Sequence, residues 1–240
     1  VWEASRFDWA VVFAQQASAG DAEALPRLNR WLADWCERNP TYQGHNWKCG
    51  QETSIRAMHL AVAALVLDQT GAPCDALVEL LAAHLQRVEP TLSYAMAQDN
   101  NHGTSEAAAL FIGGAWLQNL NDARGERWAA AGRRWLENRA ARLVQPDASF
   151  SQSSVNYHRL MLDTLSLSEV WRRHAGQAPF SQQFYSRAAA AATWLRAMTD
   201  GDSGDAANLG ENDGANLLPL TDAGYRDFRP AVDLASTLFQ

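Results

Sequence analysis

The chain has 240 residues, 47% hydrophobic and 20% charged, with a net charge of −7. This composition fits one or two globular domains with a real core. The acidic balance, with 19 Arg and one Lys, argues against nucleic-acid binding, and a polyanionic ligand would need a local positive cleft. The longest apolar runs, such as 60–67, are too short to span a bilayer, so no membrane insertion is expected. Cys36, Cys49 and Cys74 lack CxxC spacing and predict buried thiols, with no disulfide framework and no metal site. The chain opens at Val1 already in a helical pattern, which predicts a piece of a longer protein with any signal peptide outside it.

Periodicity predicts a first helix over 3–18, with Ala4, Phe7, Val11 and Ala14 on one stripe, ended by Gly20-Asp21. Leu25, Leu28, Trp31, Leu32, Trp35 and Cys36 carry a second amphipathic helix, with Pro26 in its first turn. A loop at 39–46 precedes a third helix over about 50–69, stopped by Gly71-Ala72-Pro73. A fourth spans about 75–88 and is closed by Pro90. A fifth follows the polar stretch near 100 and runs to about 119. A sixth, Arg-rich, spans 123–144 with one narrow buried face. Helices over about 155–174 and 181–199 follow, then an aperiodic Gly/Asp/Asn-rich segment at 200–214, then a last helix over 230–239.

No run of strict alternation supports a strand. The pattern predicts an all-α chain of eight or nine antiparallel helices. A solenoid of helix pairs and helical hairpins curled into an incomplete toroid both fit, but no fixed-length repeat supports the solenoid. Polar loops at 39–46, 96–106, 145–155 and 200–214 recur at about every second connection. An up-down array places such loops at one end, and a toroid gathers them into one cleft.

Three polar clusters stand out. Asp99-Asn100-Asn101-His102-Gly103-Thr104-Ser105-Glu106 precedes the apolar run 107–116. Asn, His and Gly resist a helix interior, so the octet predicts a loop at the mouth of a buried helix, where free N–H groups face outward. It reads either as a capped turn or as a His with amides set to meet an anion. Tyr157 opens the helix after Gln152-Ser153-Ser154 and shares a face with Leu160, Met161, Thr164, Ser168 and Trp171. Taken alone, it reads as a boundary tyrosine with a satisfied hydroxyl. Asn46-Trp47-Lys48-Cys49-Gly50-Gln51-Glu52, followed by Arg56, reads alone as a helix cap with a packed Trp.

Taken together, five stretches occur in order: 2–7, 46–52 with Ile55-Arg56, Asn100-Asn101-His102 with Glu106, Asn156-Tyr157-His158-Arg159, and 208–214. In that order they resemble the helical domain of heparinase II/III-like polysaccharide lyases, a family that includes alginate lyases. The resemblance covers nearly the whole chain. It implies that residues 1–240 form one incomplete (α/α) toroid, followed in the family by an antiparallel β-sandwich domain that this chain lacks, with the active cleft between the two. It also implies β-elimination at a uronic acid of an acidic polysaccharide, and a periplasmic or secreted protein. Asn101 and His102 match the family's catalytic Asn-His pair, and Tyr157 matches its catalytic Tyr. A further His comes from the β-domain, so this segment alone is expected to be nearly inactive. No cofactor is implied here, and a structural metal would belong to the β-domain.

The residue types suit elimination. The reaction removes a poorly acidic C5 proton beside a carboxylate, and the developing charge must be stabilised. Asn101 is a neutral donor for that carboxylate. Tyr157 or His102 takes the proton, depending on the sugar face presented, and Tyr157 can also protonate the leaving oxygen. A Tyr with an ordinary pKa near ~10 needs a positive or hydrogen-bonding neighbour to act as a base. Arg6, His45 and Arg56 are expected to line the cleft and attract the polyanion. Gln51, Glu52 and Glu106 are expected to orient the reacting groups. His158 and Arg159, from the same motif as Tyr157, count as substrate-binding candidates, although their helical positions point elsewhere and predict structural hydrogen bonds. Two other functions fit the residues: an inverting glycoside hydrolase using two of Asp99, Glu52, Glu106 and Asp213, and a non-catalytic polysaccharide-binding helical module.

Overall fold

A computed structural model describes residues 2–240. A short 3-10 turn, Glu3–Ser5, leads to α1 (Asp8–Ser18) and α2 (Ala24–Arg38). Then come α3 (Gly50–Val66), α4 (Asp75–Val88), α5 (Leu92–Ala97), α6 (Asn101–Asn119) and α7 (Gly125–Leu143). The last three are α8 (Val155–His174), α9 (Gln182–Met198) and α10 (Arg229–Phe239). Among the described residues there is no strand, only isolated bridges at Val144–Phe150 and Thr199–Ala206. No described helix is long and apolar enough to cross a membrane.

Burial sorts the helices into two rings. Helices α3, α6 and α8 are covered on nearly every face. Each packs on the next, with α1 against α3 at one end and α10 against α8 at the other. The less buried α2, α4, α7 and α9 pack outside them. Inner and outer helices alternate along the chain, which is the (α/α) hairpin toroid. No extensive contact joins α1 to α10 among the described residues, so the ring stays open.

The tightest seam joins α6 to α7. A Cβ on Gly132 would stand 2.2 Å from the Phe111 nitrogen, and one on Gly114 would stand 2.3 Å from the Ala129 nitrogen. Bare glycines let the two backbones touch.

Three elements depart from the sequence-based expectation. The first helix is interrupted because Phe7 takes φ 68°, and its buried ring packs edge-on against Trp35 (4.8 Å between centroids) and Trp9 (5.3 Å). Pro90 ends α4 as expected, but a 3-10 turn, Glu89–Thr91, carries the chain into the short α5. The octet at 99–106 is not a loop, since α6 starts at Asn101 and takes in most of it. Tertiary clamps on its first turn override the weak helix propensity of Asn, His and Gly.

Candidate active site

The first turns of α3, α6 and α8 converge on one open cavity of about 500 Å³. Its walls carry Gln51 and Glu52 from α3, Asn101 and His102 from α6, and Tyr157 and Leu160 from α8. Trp2 and Arg6 close it on one side, and Asp213 and Ala215 on another. Three helix N-termini at one cavity present positive dipole ends, which favour a negatively charged ligand.

The start of α6 is held from both neighbouring loops. Asn100 caps it, its side chain accepting from the His102 nitrogen at 3.0 Å. The Asn101 nitrogen donates to Gln152 Oε1 at 2.8 Å, and Ser151 Oγ donates to the Asp99 carbonyl at 3.0 Å. Asp99, at φ 50°, accepts from Arg142 Nη2 (2.6 Å) and Arg139 Nη1 (2.8 Å). The Arg142 guanidinium, then Arg139, holds its carboxyl below the usual carboxylate range. The loop before α8 thus positions the catalytic candidates of α6.

Helix α8 starts at a Ser154 cap, whose Oγ accepts from the Tyr157 nitrogen at 3.1 Å and donates to the Glu211 carbonyl at 2.5 Å. Tyr157 is half-buried at the cavity wall. Burial, then the charges of Asp213 and Glu211, push its phenol above its ordinary value, and Arg6 pulls weakly the other way. Its hydroxyl is therefore a proton donor at neutral pH. Asp213 accepts from Asn156 Nδ2 at 3.3 Å and from the Ala215 nitrogen at 3.0 Å, and lies 3.8 Å from Arg6 Nη2.

Arg6 is the only Arg or Lys among the described residues lining the cavity, and it is committed to Glu52 by two bonds of 2.8 Å. Positive potential for a ligand therefore comes chiefly from helix N-termini and neutral donors. The Gln51 amide is buried beside the cavity with neither atom partnered among the described residues. His102 is partly exposed, and burial lowers its pKa, so the imidazole is neutral near pH 7. Beneath it lies Glu106, with Oε1 3.9 Å from His102 Nδ1. Glu106 is 3% exposed, and burial pushes its carboxyl up to about 8.

The structure brings Asn101, His102, Tyr157, Arg6, Gln51 and Glu52 together, but it places the other five candidates elsewhere. Arg56 is fully buried instead of lining the cleft. Its guanidinium sits over Trp35, Trp47 and Phe7 and donates to His84 Nε2 (3.0 Å) and the Asn46 carbonyl (2.6 Å). His158 is sealed in the core, stacked on Trp194 at 4.4 Å, with Nε2 donating to the Ala191 carbonyl. Arg159 is buried and ties the carbonyls of Tyr225 and Ala215, so it holds the Asp213 segment instead of touching ligand. His45 is exposed but does not line the cavity, and its carbonyl accepts from Trp2 Nε1. Glu106 lies under the floor instead of on the wall.

The sequence alone suggests Asp213 only as a hydrolase carboxyl, and the structure sets it beside Tyr157. Its signal was its place in the fifth ordered motif, Asn208 to Gly214.

No curated protein matches the chain significantly. Among solved structures, the chain is similar to the heparan sulfate lyase HepC from Pedobacter heparinus, with 20% identity and a TM-score of 0.59 over 84% of this chain and 32% of that one. It is also similar to a heparinase III solved with methylated lysines, with 16% identity and a TM-score of 0.61 over 98% of this chain and 40% of that one. At these identities the likeness shows the toroid fold, and the chain spans well under half the length of either structure. Residues 2–203 match the family described as heparinase II/III N-terminus. With most of its length matched, the chain belongs to the heparinase II/III family.

Proposed function

We propose that the protein carrying this chain is a polysaccharide lyase that cleaves a uronate-containing acidic polysaccharide by β-elimination, in the periplasm or outside the cell. One observation carries the reading: Asn101, His102 and Tyr157 stand on the first turns of two adjacent inner helices and face one cavity. Asn101 donates to the uronate carboxylate, assisted by the helix N-termini. That contact strengthens as charge develops at C5, which is how binding energy becomes catalysis. Neutral His102 accepts the C5 proton. The C5–H electron pair becomes the C4–C5 double bond, and the glycosidic oxygen leaves with the Tyr157 proton. No water is added.

Hydrolysis finds no paired carboxyls here. Asp99 is clamped by Arg139 and Arg142, Glu106 is sealed below the floor, and Glu52 is locked to Arg6. Of the four carboxyls considered, only Asp213 faces the cavity without a bidentate arginine partner.

The test uses the full-length protein on a confirmed uronate polymer. Tyr157→Phe keeps the ring and removes the donor, so turnover should fall roughly 10²-fold or more with little change in affinity. Asn101→Ala should impair both binding and turnover. Near-normal turnover of Tyr157→Phe would remove Tyr157 from the chemistry. Sugar binding with no turnover in the wild type would leave a binding module.

A further inference from the structure

Glu106 is a buried carboxyl that the elimination steps do not use. It lies one helical turn below His102 on the same face of α6. Its Oε2 has no partner among the described residues. The group occupies the space a side chain at residue 50 would fill: a Cβ on Gly50 would lie 2.4 to 2.7 Å from Glu106 Oε1, Cδ and Oε2. Glycine at the start of α3 thus makes the hole in which the carboxyl rests. His102 Nδ1 lies 3.9 Å from Oε1, so a side-chain rotation is needed to close the hydrogen bond between them. Nε2, on the far edge of the ring, has no protein partner among the described residues and is left for the cleft.

We propose that Glu106 is a positioning residue for His102, its carboxyl deciding which imidazole nitrogen offers a hydrogen to the cleft. A neutral imidazole has one N–H and one lone pair. An ionised Glu106 can only accept, so it draws the hydrogen to Nδ1 and turns the Nε2 lone pair toward substrate. His102 is then a base, and the imidazolium it becomes is neutralised from behind. A protonated Glu106 donates to Nδ1 instead, which leaves Nε2–H facing the cleft as a donor only. The charged and titratable groups around the pair are Glu52 and Cys49 at the start of α3, Glu3 and Arg6 from the N-terminal segment, Arg87 of α4, and Tyr157 with Asp213. Burial holds Glu106 near 8, so His102 gains the free Nε2 lone pair that the elimination step needs as pH rises through that range, and the protonated Glu106 withholds it below.

The consequence for catalysis rests on the lyase reading, whereas the tautomer itself can be read without turnover. The full-length protein is labelled with 13C in its histidine rings, and the His102 signal is assigned by its loss in His102→Gln. The ring Cδ2 shift, which reports the tautomer, is followed from about pH 7 to about pH 10. The wild type should pass from Nε2–H to Nδ1–H with a midpoint near 8. Glu106→Gln, which cannot ionise, should keep Nε2–H throughout, and Gly50→Ala, which crowds the carboxyl out of its hole, should lose or displace the switch. One tautomer across the range in the wild type overturns the proposal, even if both variants fail to fold. So does an unchanged switch in Glu106→Gln. An intact Glu106-dependent switch without turnover on any uronate polymer supports the tautomer control and counts against the lyase reading.

Discussion

Arg56 keeps its charge with no access to water. Desolvation lowers its pKa to about 10, which still leaves it protonated. Its Nε donates to His84 Nε2, so His84 must carry its hydrogen on Nδ1 and donate to the Leu80 carbonyl at 2.7 Å. Burial and then the Arg56 charge push His84 down to about 3. Removing Arg56 strands an imidazole nitrogen and the Asn46 carbonyl and empties the space between three aromatic rings. Arg56→Ala should therefore cost about 3 kcal/mol in urea unfolding. Unchanged stability with weakened substrate binding would return Arg56 to the cleft. A sequence shows that an arginine follows a motif but not whether aromatic rings from elsewhere will enclose it, as with Arg56, whereas the helical position of Arg159 already predicts the structural hydrogen bonds it makes. That Asn101, His102 and Tyr157 share one cavity follows from the order of five short motifs and not from local pattern, since taken alone the first two read as a loop and Tyr157 as a boundary tyrosine.

At the scale of elements, legibility followed local signals. Helix α8 begins and ends where expected, since a Ser154 cap and Gly176 (φ 65°) bound it within the sequence. Helix α4 likewise runs from Asp75 to Val88 before Pro90. The start of α6 departs from the local pattern because its helix depends on Gln152, Ser151, Arg139 and Arg142, all about 40 to 52 residues away. Glycines in α6 and α7 carried an equally non-local meaning. Gly132 gives no turn but permits contact with the α6 backbone. Gly132→Ala must part the two helices, at about 2 kcal/mol and a fall in Tm of roughly 4–8 °C. An unchanged melting curve would show that the α6–α7 seam is looser than its geometry.

For the whole molecule, buried ionisable groups set the pH of greatest stability. Burial lowers the pKa values of His59, His84 and His158, the last to about 4. It raises Asp163 to about 7 and Glu106 to about 8. Between about pH 4.5 and pH 6.5 the unfolded chain binds protons at His84 and His158 that the native state does not, and the lowered His59 and His102 add to that difference, while the native state keeps two carboxyl protons that the unfolded chain has lost. The balance makes stability rise with pH there. Above about 6.5 the histidines no longer differ, and the two carboxyls make stability fall as pH rises toward 8. Tm should peak near pH 6.5, and a steady rise to about pH 8.5 would show that Asp163 and Glu106 are ionised in the native state.

The toroid brings three inner-helix N-termini to one cavity, and elimination is the chemistry we propose for that arrangement. The most direct measurement is the product that the full-length protein releases from a uronate polymer. Elimination should yield near-ultraviolet absorbance in step with new reducing ends, and fragment masses that sum to the substrate with no water added. Reducing ends without absorbance, and fragments heavier by one water for each cut, would contradict it.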